Sequence, residues 1–112
     1  MSPRDQKPAL LQGTLDLLVL RTLLLGPLHG HGITKHIRQT TDEVLQVDHG
    51  SLYPALNRLE KNGYIASAWE NSPRGREMRF YRLTAKGRRH LNAEETRWST
   101  LVRAMARMLK PS

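Results

Sequence analysis

The hydrophobic pattern of this chain changes from helical to strand period at Asn62-Gly63. Ahead of that point, Leu52, Leu56 and Leu59 recur at the spacing of one helical face. Asp48 stands where a helix N-cap belongs, and Asn62-Gly63 supplies the left-handed stop expected after a C-terminus. Behind it, Tyr64 to Trp69 and Met78 to Leu83 read as two strands, and Asn71-Ser72-Pro73-Arg74-Gly75-Arg76 between them has the composition of a turn. A helix running into a hairpin with a six-residue tip is therefore the centre of whatever the chain folds into. Pro54 lies inside the predicted helix and Gly50 four residues before it, so the first turn is expected to kink or tighten toward 3₁₀.

Two more helices precede this unit. From Leu11 to Leu25 apolar residues cover most of a helical circumference, so that helix is expected to be buried nearly all round, with Gly26-Pro27 ending it. Gly30 and Gly32 lead into a helix of about two turns carrying Ile33 and Ile37 on one face. Val44 to Val47 is expected to be a short strand or an extended link. After the hairpin, Thr84 caps a helix predicted from Ala85 to Lys110, whose Leu91, Glu94, Trp98, Leu101, Met105 and Met108 alternate in steps of three and four, the seam of a helix packed on another helix.

The chain has 112 residues, 18 Lys and Arg against 10 Asp and Glu, and no Cys. That suits one small domain, too small for a multidomain enzyme, and excludes a disulfide framework, a zinc ribbon or a thiol nucleophile. The apolar run at Leu17 to Leu25 is far shorter than a bilayer span, and Met1 to Pro8 is followed by no signal-like apolar core, so a cytoplasmic chain without a membrane partner is expected. Between Ser72 and His90 seven basic side chains meet one acid, which places six of the chain's eight net positive charges in the hairpin and the root of the last helix. A field so concentrated attracts a polyanion.

Three helices and a cationic hairpin describe a winged helix-turn-helix. The predicted fold class is mainly α with a small β hairpin, divided into a basic arm (1–9), a winged domain (10–84) and a long C-terminal dimerisation helix (85–112). A helix fits the major groove of double-stranded DNA, and a basic hairpin tip can straddle the neighbouring backbone. With its leucines inward, the third helix leaves Ser51, Pro54, Asn57, Arg58 and Lys61 outward or flanking. Asn57 can pair with adenine and Arg58 with guanine, Ser51 and Lys61 can hold phosphates, and Tyr53 can either donate to a phosphate or pack beneath the helix. Lys35 points outward from the second helix, and Arg74 and Arg76 flank Gly75 at the tip. A lone last helix would expose Trp98, Leu101, Val102, Met105 and Met108, so a homodimer is expected, with Leu11, Leu15, Leu18 and Leu91 contributing.

The strings GTLDLLVLRTLLLGPLHGHGI (Gly13 to Ile33), GSLYPALNRLEKNGYI (Gly50 to Ile65) and RFYRLTAKG (Arg79 to Gly87) closely resemble the PadR family of bacterial transcriptional regulators, in its short form with one C-terminal helix. The resemblance implies a winged-helix homodimer on a palindromic operator, usually as a repressor. It places Ser51, Tyr53, Pro54 and Asn57 in the reading helix and Arg74 and Arg76 in the wing. His31 stands between two glycines where many relatives carry Tyr or Trp; an imidazole is smaller and changes charge near neutral pH. Trp98 reads as an interface anchor, and the resemblance also sets it beside a cavity for a small hydrophobic effector.

Other chemistry fits poorly. His29, His31 and His36 lack the helical pairing of a metal site, and Ser51 near His49 lacks the turn and the acid of an acyl-transfer site, so neither a metal, a cofactor nor catalysis is expected. The competing reading is a winged-helix adaptor for nucleic acid or protein, using the same basic surface without operator specificity.

Overall fold

The computed structural model of the protein describes residues 12–111; the basic arm and Leu11 lie outside the described residues. The chain runs α1 (Gln12–Thr22), a 3₁₀ turn (Leu23–Leu25), β1 (Leu28–His29), α2 (Gly30–Thr40), α3 (His49–Lys61), β2 (Ile65–Asn71), β3 (Glu77–Leu83) and α4 (Ala85–Leu109). The three strands form one antiparallel sheet in the order β1-β3-β2. This is the expected winged helix-turn-helix, mainly helical, with a third strand added to the hairpin.

The core forms where the apolar stripes of α1, α2 and α3 meet the inner face of the sheet. Leu15, Val19, Leu20, Ile33, Ile37, Leu52, Leu56, Leu59, Ile65 and Leu91 are buried together. The α-helical part of α1 ends at Thr22, earlier than expected, and its last turn tightens to 3₁₀ with the Gly26 N–H donating to the Leu23 carbonyl at 3.2 Å. Pro27 explains this, since it bars Gly26 from helical geometry and the orphan carbonyls close on a shorter turn. Nor is this helix buried all round, because Leu25 is 69% exposed.

In the following segment one of two expected alternatives is realised and an unexpected strand appears. Val44 to Val47 is the extended link and not a strand: it follows a tight turn at Asp42 and Glu43, and the Thr41 hydroxyl accepts the Leu45 N–H at 3.1 Å. The strand comes earlier, at Leu28–His29, paired with Tyr81 and Phe80 of β3. Two residues carry no readable period; a partner ladder makes them a strand. Helix α2 spans 11 residues, longer than about two turns.

Helix α3 starts and stops as its sequence predicts. Asp48 accepts the Ser51 N–H at 2.7 Å. At the other end Gly63, at φ 79°, donates to Glu60, and Tyr64 donates to Leu59, which is the paired closure that only a left-handed C′ residue allows. Pro54 is absorbed without a break in the α-helix, and the expected tightening is confined to Ser51 and Leu52, whose N–H groups share the Asp48 carbonyl. The hairpin is in register from Ile65↔Leu83 to Asn71↔Glu77, leaving a tip of Ser72 to Arg76, one residue shorter than predicted.

Helix α4 is fixed at its root. The Thr84 hydroxyl accepts the Gly87 N–H at 3.0 Å, Lys86 Nζ donates to the Asn62 carbonyl at 2.8 Å, and the Tyr64 and His90 rings stack 4.1 Å apart. Gly87 sits directly against the Tyr64 carbonyl, where any Cβ would collide with backbone. Beyond Leu91 the helix leaves the core and its apolar side chains face outward.

Candidate nucleic-acid interface

Burial of Leu52, Ala55, Leu56 and Leu59 turns the opposite face of α3 to solvent, and Ser51, Tyr53, Pro54, Asn57 and Lys61 are all exposed there. Tyr53 both packs and remains available: its hydroxyl lies hard against Gly30 at the start of α2, its ring stands 5.7 Å from that of His49, and it stays 42% exposed. His31 and Lys35 are exposed on α2.

Of the two positions expected for it, outward or flanking, Arg58 takes the flank. Its Nη2 donates to Asp16 Oδ1 of α1 at 2.9 Å with the side chain 33% exposed, and its Nε is buried without a partner. The helical period brings Arg58 to the flank that packs on α1, where an acid is waiting, so the guanidinium is already committed within the fold.

Two clefts organise what remains. One, of about 430 Å³, lies between α3 and the hairpin and brings His31, Tyr53 and Asn57 together with His29, Trp69 and Arg79. The other, of about 990 Å³, runs from His29 and His31 along Phe80 to Arg74 and Arg76 at the wing tip. His29 and His31 border both, with ring centroids 6.1 Å apart. Lys35, Ser51, Pro54 and Lys61 are exposed but line neither cleft.

The wing tip has a defined shape. The Ser72 N–H donates to the Arg76 carbonyl at 2.7 Å, the Gly75 N–H to the Ser72 carbonyl at 2.8 Å, and the Arg76 N–H to the Ser72 hydroxyl at 3.2 Å. These bonds engage the Arg76 backbone and leave the Arg74 and Arg76 side chains exposed at the tip.

Trp69, Arg79 and His29 are members of the site that the sequence reading did not single out. Trp69 is 62% exposed and pairs across the strands with Arg79. The one retrievable signal was a large aromatic residue on a hairpin already identified as basic. Arg79 donates from Nε to the Ser67 hydroxyl at 2.9 Å and from Nη2 to Glu60 at 3.2 Å, and Ser67 donates to the other Glu60 oxygen at 2.6 Å. The α3 carboxylate that would repel a polyanion is thus neutralised in place. Burial pushes the Tyr81 phenol up from its ordinary range, against the opposing pull of the Arg79 charge, so it remains a neutral donor at physiological pH.

The apolar face of α4 is separate from these clefts. Trp98, Leu101, Val102, Met105 and Met108 are exposed, from 44% at Trp98 to 82% at Met108. Leu18 is half-buried, but Leu15 and Leu91 are consumed by the chain's own core and have no surface left for a second copy, which corrects their expected place in an interface. Trp98 borders two shallow clefts against α1, of about 440 and 340 Å³, with Leu17 in both. Among the described residues no helix is long and apolar enough to cross a membrane.

Comparison with known proteins accounts for this arrangement. Residues 19–93 match the transcriptional regulator PadR-like family. A transcriptional regulator from Clostridium thermocellum is 31% identical and superposes with a TM-score of 0.80, covering 88% of this chain and 96% of that one. A PadR family transcriptional regulator from Eggerthella lenta is 32% identical, with a TM-score of 0.74 over 90% of this chain and 86% of its own. An uncharacterised protein from Lysinibacillus sphaericus is 28% identical over 90 residues, 80% of this chain and 83% of that protein. The chain is a member of the PadR-like family of transcriptional regulators.

Proposed function

We propose that this regulator binds a specific DNA sequence as a homodimer and represses transcription by occupying a palindromic operator. The observation that carries the reading is the gathering of Asn57 and Tyr53 of α3 with His31, and of His31 with Arg74 and Arg76 of the wing, around two connected clefts on one side of the fold. In this reading α3 enters the major groove, Asn57 pairs with adenine, and Ser51, Pro54, Tyr53 and Lys61 flank it. His31, Lys35, Arg74 and Arg76 meet the backbone on either side. Trp69 belongs with them, its exposed indole bringing an N–H donor to the same cleft.

The exposed face of α4 supports the dimer, since Trp98, Leu101, Val102, Met105 and Met108 need cover that a symmetry mate supplies. Two reading helices about one DNA turn (~34 Å) apart would then address a two-fold site. The open apolar clefts at Trp98 suit a small hydrophobic effector that alters the tilt between the two halves. Such a protein works in the cytoplasm, beside the chromosome.

Selection of duplexes from a randomised library, followed by anisotropy titration at several salt concentrations, tests the reading. A specific regulator enriches one two-fold motif and keeps a large preference for it over bulk DNA as salt rises. Enrichment of no motif, with all affinities falling together, would favour the adaptor without operator specificity.

A further inference from the structure

Among the described residues, the Asp16–Arg58 ion pair stands apart from four others, because it alone joins the reading helix to another helix of the core. The Arg21–Glu95, Arg38–Glu43, Arg79–Glu60 and Arg97–Glu94 pairs lie on more open surface, whereas Arg58 and Asp16 are only 33% and 22% exposed. Helix α1 packs against both α3 and α4. Gly13, Thr14 and Leu17 of α1 form a wall of the cleft at Trp98, and Asp16, between them in sequence, turns to α3. One short helix therefore touches both the dimerisation helix and the reading helix.

Resting on the DNA-binding reading above, we infer that Arg58 is a positioning residue, which holds α3 at a set rotation against α1 through Asp16 and contacts no DNA. Three features favour this over base recognition. The bond is short, at 2.9 Å, and charge-assisted. The guanidinium has lost part of its hydration, with Nε buried and unpaired, so extracting it to reach a base would leave Asp16 half-buried without its cation. Asn57, the residue before it, is exposed on the outer face of α3, whereas Arg58 is only partly exposed. Breaking the pair frees α3 to roll on its leucines, which misaims Asn57 while the backbone contacts made by the wing persist.

The test uses Asp16→Ala, Arg58→Gln and the double variant in the full chain. The probes are the duplex the wild-type protein enriches from the random library and poly(dI-dC). A positioning role predicts that each single variant lowers the preference for the enriched duplex by about tenfold, and that the double variant loses no more than either single. The salt slope of binding stays at the wild-type value, because no DNA contact has been removed. General destabilisation would reduce the folded fraction and scale both affinities alike, leaving their ratio unchanged; that result overturns the proposal. A base reader behaves oppositely: Arg58→Gln loses discrimination and about one unit of salt slope, while Asp16→Ala, which releases the guanidinium, keeps or raises discrimination. That pattern overturns the proposal as well. Should Asp16→Ala fail to fold, Asp16→Asn retains the shape and weakens the bond, and a smaller loss of discrimination at unchanged salt slope is expected. A wild-type chain that enriches no duplex removes the DNA reading and this inference together, whereas enrichment with indifferent variants removes only the inference.

Discussion

The hydroxyl of Thr84 donates to the carbonyl of Gly63 at 2.6 Å while accepting the Gly87 N–H, so one side chain closes both the end of α3 and the beginning of α4. The backbone repeats the link, the Thr84 N–H donating to the Tyr64 carbonyl at 3.1 Å. Helices α3 and α4 are thus joined at a corner of a few residues, although the hairpin separates them in sequence.

Thr84→Ala should destabilise the protein by about 1 to 2 kcal/mol, since it removes an N-cap and leaves the Gly63 carbonyl with one partner fewer. Thr84→Ser should recover most of the loss. Urea denaturation of the three proteins checks this; equal midpoints for all three would show that the corner bonds add nothing.

Leu56→Ala should cost about 2 to 5 kcal/mol, because Leu56 is fully buried where α3 meets the core. Met105→Glu lies on the exposed face of α4 and should leave the fold of each subunit intact while dissociating the dimer, read by sedimentation. A Met105→Glu protein that sediments as the wild type does would place the dimer surface elsewhere.

Asn57→Ala should weaken binding to the enriched duplex by about 1 to 3 kcal/mol and relax preference at one base position. Arg76→Ala should weaken all sequences alike and reduce the salt slope by about one. The contrast between the two, measured by anisotropy at several salt concentrations, separates base reading from backbone contact.

Trp69 offers a direct optical readout. In a Trp98→Phe background its emission should change on addition of duplex, because it borders the same cleft as Asn57. No change at saturating DNA would take the cleft out of the interface.

The Tyr81 phenol is held neutral by burial, so its folded pKa lies above the ordinary 10.0. The folded state then binds the proton more tightly than the unfolded state. Stability attributable to this group is undiminished below pH 10 and falls as pH climbs through the raised folded value. Tyr81→Phe should flatten that alkaline decline in a series of urea titrations.

The sequence by itself determined the elements whose causes are local. Asp48 and Thr84 cap their helices, Asn62-Gly63 ends α3, and the leucine spacing decides that Asn57 faces out, all through interactions spanning a few residues. Tertiary structure alone decided the rest, because those outcomes depend on partners far along the chain. Leu28–His29 is a strand only since β3 lies beside it, Arg58 is paired on the flank of α3 only since Asp16 waits 42 residues earlier, and Leu91 is buried only since the core closes over it. Trp69 joins Asn57 in one cleft for the same reason. Periodicity reports which face of an element is apolar; it carries no information on which neighbour that face, or its flank, will meet.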